Sequence, residues 1–267
     1  MKRTGFIGGS DLYSIMKGDW HELWLVKTGR KESEDLSHLF NVNLGTYTEM
    51  FNIDWLVEQT GLSILHRGSS IAVELPQKII DDVPYQARVD ALAEDEEGNH
   101  FVVECKHTSN ARTMTQMLDS YMPQMHLYMR VHEIKKCYLS VIFGNTWDFV
   151  VVDYNHDYWQ KVHNEVWSFW CMVRDGIEPD NYSAKKINWS SVNINGLVAR
   201  DANQDNEFVN LAHDFVNTSH TAKTHENIKK ELRSMVQDNE REVFCDLLTI
   251  KRDKRGACRI SINEGAA

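Results

Sequence analysis

Several absences narrow the field before any motif is read. No apolar run in the 267 residues approaches the roughly 18–20 needed to span a bilayer, so a membrane protein is not expected. The first residues, Met1-Lys2-Arg3-Thr4-Gly5, lack the apolar segment of a signal peptide. Prolines number only four, while aromatics make up 10% of the chain, a balance that argues against long disorder. The five cysteines are scattered and odd in number, with no Cys-x-x-Cys pair. That disfavours a zinc or iron–sulfur site and a disulfide framework, and it points to reduced thiols in a cytosolic protein. A basic excess is missing too: the net charge is −10. The acid is unevenly spread, however, because residues 183–267 hold 13 Lys/Arg against 12 Asp/Glu and the first 182 carry −11. A local basic strip such as 251–259 can still meet phosphates.

With 42% hydrophobic residues, the chain can bury a sizeable core in one or two domains. The most informative stretch runs from Gln86 to Lys106. Tyr85, Ala87, Val89, Ala91 and Ala93 alternate with Gln86, Arg88 and Asp90, which predicts a strand. A second strand places Phe101, Val103 and Cys105 opposite Val102, Glu104 and Lys106. Between them Glu96-Glu97-Gly98 suits a three-residue hairpin loop with glycine in the left-handed position. That loop pairs Asp95 with Asn99 and sets Asp90 opposite Glu104. Directly opposed residues have Cβ atoms about 4.5–5.5 Å apart, close enough for both carboxylates to share one cation.

Like charges across a strand pair repel, and a hard divalent ion is the usual remedy. Mg²⁺ or Mn²⁺ takes oxygen ligands and keeps waters for phosphate chemistry. Asp90 and Glu104 would be the ligands, the Cys105 backbone carbonyl a third oxygen, and Lys106 the neighbour that orients water or offsets charge. A solvated hairpin with its polar side out fits the same alternation, and pattern alone leaves both readings open.

Elsewhere, the glycine pair of Gly8-Gly9-Ser10 leads into a serine-capped helix from Asp11 to about Lys17 and offers backbone N–H groups at a positive dipole end. Residues 20–27 and 43–60 read as helices. In the second, Tyr47, Phe51 and Trp55 recur at i+4, while Glu49 shares a stripe with Ile53 and Leu56. Residues 63–74 suggest short strands. The Met-rich segment 113–131 is expected to break at Pro123, with Ser120 capping a new helix that carries Gln124. Residues 137–143 and 147–152 form a hairpin around Gly144, and 156–174 a tryptophan-rich amphipathic helix. After Pro179 composition shifts: 182–200 reads as loop, 207–216 and 224–237 as helices, and 243–250 with 257–262 as strands about a turn at 253–256. Domains are expected at 1–182 and 183–267.

The order Glu49, a strand aspartate Asp90, Glu104-Cys105-Lys106 on the next strand and a helical Gln124 resembles the PD-(D/E)xK nuclease superfamily. More narrowly, the chain resembles the YqaJ-type viral recombinase nucleases, the phage lambda exonuclease family. The matching blocks are Arg3-Thr4-Gly5-Phe6-Ile7-Gly8-Gly9-Ser10-Asp11, Leu23-Trp24 with Lys27-Thr28-Gly29, Gly45 to Glu49, Arg88-Val89-Asp90, Val103 to Lys106 and Tyr121-Met122-Pro123-Gln124. They span roughly residues 1–180. The superfamily's usual proline before the aspartate is absent.

The resemblance implies an α/β (α+β) restriction-endonuclease-like core, a central mixed sheet flanked by helices, with 183–267 as a small α+β appendage. It implies a metal-dependent 5′-to-3′ exonuclease on double-stranded DNA ends using one or two Mg²⁺ or Mn²⁺ ions. Asp90, Glu104 and the Cys105 carbonyl would hold metal, and Lys106 would be catalytic. Glu49 would place metal and water, and Gln124 would support the site. Arg3 and Ser10, with Gly9 beside them, would hold the 5′-phosphate. It further implies a single-strand annealing partner, a homo-oligomer of possible ring form, and phage-type recombination in the cytoplasm of a bacterial host. An endonuclease or repair nuclease without end dependence is the alternative, and a non-catalytic DNA-binding protein a more distant one.

Overall fold

The computed structural model describes residues 4–68, 77–180, 182–183, 185–219 and 221–264. Their elements fall into two compact units, 1–189 and 190–267, so the division comes a few residues after the boundary expected at 182.

The first unit opens with strand β1 (Ile7–Gly8) and helices α1 (Gly9–Lys17), α2 (Trp20–Lys27) and α3 (Phe40–Thr60). Strands β2 (Ser63–Arg67), β3 (Gln77–Ile80), β4 (Val83–Gln86), β5 (Ala91–Glu94) and β6 (His100–Thr108) follow. Helix α4 (Met114–His132), strands β7 (Lys136–Phe143) and β8 (Thr146–Asp153), and helix α5 (His156–Asp175) complete it. A five-stranded sheet has the order β2-β5-β6-β7-β8, mixed because β6 and β7 run parallel while the other pairs are antiparallel. A smaller sheet, β1-β4-β3, joins β1 to β4 in parallel.

The continuous strand expected from Tyr85 to Ala93 is therefore two strands in two sheets. Burial still alternates through the break, with Ala87, Val89, Ala91 and Ala93 inward and Arg88 out, so the sequence period survives while the hydrogen bonding changes partner. The β5–β6 hairpin has the expected register, Ala91 facing Val103, and Gly98 takes φ 79° in its turn. Asp90 lies one residue beyond that ladder.

Period two sorts the faces of β6. Phe101, Val103 and Cys105 join Ala91 and Ala93 against Ile53, Leu56 and Leu62, so α3 covers this side and helix ends at the left-handed Gly61. The opposite face, with Glu104, meets α4. Helix α3 starts three residues earlier than expected and turns its aromatic stripe to solvent: Tyr47 is 89% and Phe51 59% exposed. The buried stripe is the one Glu49 shares with Ile53 and Leu56.

Helix α4 runs unbroken through Pro123, capped by Thr113 in a box with Gln116. Ser120 is interior, its hydroxyl donating to the Gln116 carbonyl. A proline inside a helix costs about 3 kcal/mol; here Met117, Met122, Met125 and Met129 are all buried around it, and such burial stabilises by about 1.5–3 kcal/mol per side chain. Helix α1 starts at Gly9 with Gly8 as its N-cap, not at a serine cap. Trp20, Trp24 and Trp159 are buried; Trp20 meets Phe169 edge-on at 5.5 Å.

The second unit comprises β9 (Val198–Asp201), α6 (Asn206–Asn217), α7 (Ala222–Ser234), β10 (Glu240–Phe244), β11 (Leu248–Arg252) and β12 (Cys258–Ile262), in the sheet order β12-β11-β10-β9. The strand expected over 243–250 breaks between Phe244 and Leu248, and β9 stands within the segment expected as loop. Its own core gathers Phe208, Phe215 and Leu232 on Val243, Leu248 and Ile250. Arg252, counted in the basic strip, is turned back onto the carbonyls of Glu240, Gln237 and Gly256.

Candidate active site

One cleft of about 650 Å³ in the first unit is lined by Gly8, Gly9 and Ser10 at the head of α1, Glu49 on α3, Arg88 and Asp90 before β5, Glu104, Cys105, Lys106 and His107 on β6, and Tyr121, Gln124 and Tyr128 on α4. Of the residues singled out from sequence, the fold brings all but Arg3 to this place; Arg3 lies outside the described residues. A larger cleft, about 830 Å³, beside Trp20 and Tyr182 is lined by His21, Glu22, Lys31 and Glu34 and contains none of them.

The carboxylates meet differently from a simple opposed pair. Asp90 Oδ2 accepts the Cys105 backbone N–H at 2.7 Å, so Asp90 extends the ladder with its side chain after its backbone has left it. Glu104 is 1% exposed by side chain and Lys106 22%. Lys106 Nζ donates to Glu104 Oε1, and Gln124 Nε2 donates to the same oxygen. Gln124 also donates to the Tyr128 hydroxyl at 3.0 Å, and the Lys106 ammonium stands 5.0 Å over the Tyr121 ring. Tyr121, Gln124 and Tyr128 lie three and four residues apart, one helical stripe facing the cleft.

Glu104 Oε2 has no hydrogen-bond partner although it is buried. An orphaned acceptor of this kind costs about 1–3 kcal/mol, more when charged, and it needs a donor or a cation. Burial, then Asp90, pushes the Glu104 pKa up to about 8. Burial also raises Asp90, with Lys106 opposing, and burial and Asp90 raise the half-buried Glu49. Desolvation works against the Lys106 ammonium, yet Glu104 and Asp90 outweigh it and hold it protonated. The Cys105 thiol, buried on the α3 side, is raised well above its usual value, which leaves it inert.

These residues fit a hard divalent ion. Among the described residues no group of three or more His, Cys, Asp and Glu side chains gathers as a metal cage. Mg²⁺ is typically held through one or two carboxylates with waters filling the rest, and Asp90 and Glu104 supply that set, the free oxygen of Glu104 foremost.

The head of α1 is more occupied than its sequence suggests. Asp11 Oδ2 accepts the Gly8 N–H at 2.7 Å and pairs with Lys27 at 2.5 Å, so two of the sequence blocks meet here. Gly9 is required by packing: a Cβ there would lie 2.4 Å from the Tyr128 hydroxyl. Ser10 is exposed on the first turn, toward the cleft.

No family model matches the sequence, and no curated protein matches it. Among solved structures, the chain is similar to an alkaline exonuclease (LHK-Exo) from Laribacter hongkongensis, with TM-score 0.50 and 15% identity over 65% of this chain and 90% of that one. The same exonuclease in complex with dAMP aligns equally, at TM-score 0.50 and 15% identity. Over the matched part the chain shares the fold of that exonuclease, a mixed sheet flanked by helices. At this identity the likeness is one of architecture.

Sequence reasoning gave no role in the site to Tyr121, Tyr128, His107 or Asn52. The tyrosines carried a signal in their helical spacing about Gln124. Asn52 carried one in sitting three residues after Glu49.

Proposed function

We propose that this chain is a metal-dependent deoxyribonuclease, a 5′-to-3′ exonuclease on double-stranded DNA that leaves 3′ overhangs for a single-strand annealing protein. The observation that carries the reading is the unpartnered Glu104 Oε2 in a cleft with Asp90, Lys106 and the head of α1. Asp90 and Glu104 would hold Mg²⁺ or Mn²⁺, with the Cys105 carbonyl beside them and Glu49 placed for a second ion. When bound, the metal supplies Lewis-acid stabilisation of the phosphoryl oxygens and a lowered pKa for water.

The chain's own groups do the rest. Gln124 locks the Glu104 rotamer through Oε1. Lys106, held protonated, orients water by donating to it and offsets the charge that builds on phosphorus. Ser10 and the first backbone amides of α1, with Arg3, would seat the 5′-phosphate at a helix N-terminus. A homo-oligomer acting in the cytoplasm of a bacterial host, in phage-type recombination, accords with the reading. No helix among the described residues is long and apolar enough to cross a membrane.

The test is digestion of end-labelled linear duplex with Mg²⁺, comparing 5′-phosphate with 5′-hydroxyl ends and including a closed circle. Loss of phosphorylated linear DNA alone is expected. Lys106→Met should slow it about 10³-fold, some 4 kcal/mol of barrier, and Arg3→Ala should slow it less. Cutting of the closed circle would favour an end-independent endonuclease. An inert protein with either metal would reduce the fold to a binding scaffold.

A further inference from the structure

Behind the cleft, Asn52 of α3 is 1% exposed and sits at the centre of a polar cluster in an otherwise apolar interface. Its Nδ2 donates to the Ser140 carbonyl at 3.1 Å and the Lys106 carbonyl at 3.3 Å. Its Oδ1 accepts from Ser140 Oγ at 2.6 Å and from Trp147 Nε1 at 3.2 Å. Trp147 Nε1 also reaches Ser140 Oγ at 2.8 Å. The amide orientation is fixed by these partners, since the reverse would set an NH₂ against the indole N–H and the oxygen against two carbonyls.

We propose that Asn52 is a positioning residue for the metal site: it sets the rotation and axial register of α3 on β6, and so fixes where Glu49 stands relative to Asp90, Glu104 and Lys106. This rests on the nuclease reading of the cleft. The physical case is a contrast between two kinds of contact. Ile53 and Leu56 pack on Val103 and Cys105 through non-directional apolar contact, which a small slide or roll of the helix would preserve. The Asn52 amide spans carbonyls on two adjacent strands, β6 and β7, and only one placement of α3 satisfies all its bonds. Buried polar groups are best attested in this register-setting role. Three residues separate Asn52 from Glu49, so both project on one side of α3. One of the two carbonyls it grips belongs to Lys106 itself.

The experiment is Mn²⁺ binding by titration calorimetry on the full chain, in a double-mutant cycle of Asn52→Leu with Glu49→Gln, with DNA cleavage and urea midpoints alongside. Leucine keeps the branched shape, though with more bulk, and removes every bond. Asn52→Leu should weaken Mn²⁺ about 10-fold in the wild-type background, in the range for groups that orient metal ligands, and no more than about twofold when Glu49 is already glutamine. If Asn52→Leu fails to fold, Ser140→Ala removes the anchor of Oδ1 and should show the same coupling at several-fold size. Equal weakening in both backgrounds, or none, overturns the assignment and leaves the nuclease reading intact if the wild type cuts DNA. Coupled binding in a protein that does not cut overturns the nuclease reading and keeps the assignment. A wild type that binds no Mn²⁺ overturns both.

Discussion

Among the described residues of the first unit, two carboxylate–lysine pairs, one closed and one facing a cleft, are built to opposite ends. Asp11 and Lys27 are both fully enclosed, at 0% side-chain exposure. The carboxylate takes the Gly8 N–H as well, and the ammonium also donates to the Phe6 carbonyl at 2.8 Å and stands 4.9 Å over its ring. Glu104 and Lys106 form the other pair, but Glu104 keeps one oxygen without a partner and Lys106 faces a cleft. The same two functional groups hold a fold together in one place and leave chemistry available in the other. What separates them is the buried oxygen of Glu104 that has no partner.

The largest effect should come from opening the closed pair. Lys27→Met leaves Asp11 as an uncompensated buried charge and should cost about 3–5 kcal/mol of stability by urea unfolding. Asp11→Asn together with Lys27→Met should restore much of it. A Lys27→Met protein with an unchanged urea midpoint would erase the distinction between the pairs.

The open pair should instead respond to metal and pH. Because the folded Glu104 pKa lies near 8, above its ordinary value of 4.5, the folded state binds the extra proton between those values. Stability of the metal-free protein therefore gains a falling contribution as pH rises from 4.5 to 8, and Glu104→Gln should remove that slope. Cation binding must displace the same proton, so the Mn²⁺-induced rise in melting temperature should grow from pH 6 to pH 8. At 100 times Kd it should be worth about 2.7 kcal/mol. A shift that is flat with pH, measured by scanning fluorimetry, would mean that Glu104 is not the ligand.

A smaller effect tests the wall between the pairs. Gly9→Ala should cost about 1–3 kcal/mol by overpacking against Tyr128 and Gln124. It should also slow DNA cleavage by pushing Gln124 off Glu104. Adding Tyr128→Phe removes the struck hydroxyl and should recover part of both losses. Thermal melts and cleavage rates of the single and double variants read this out.

The hairpin register was legible because period-two alternation and a three-residue turn leave one pairing that keeps the apolar face inward. Glu49 was visible as a carboxylate on an apolar stripe, and Glu104 and Lys106 as charges within a strand. Local rules misled at Pro123, where propensity predicts a break that the burial of α4 overrides. They misled again at 85–93, where one alternating pattern serves two sheets because alternation records faces and not partners. The aromatic stripe Tyr47, Phe51 and Trp55 has a helical period that says nothing of which side meets the core.

By itself the sequence determined most of the helices, the β5–β6 pairing and the residue types gathered for acid–cation chemistry, since these follow from spacings of two to seven residues. Only the tertiary structure decided that Gln124, twenty residues on from Glu104, would take one of its oxygens and leave the other bare. It alone joined Asp11 to Lys27 and seated Asn52 behind Lys106. Such contacts depend on where distant elements dock, and docking is set by the packing of whole faces, which no local spacing encodes.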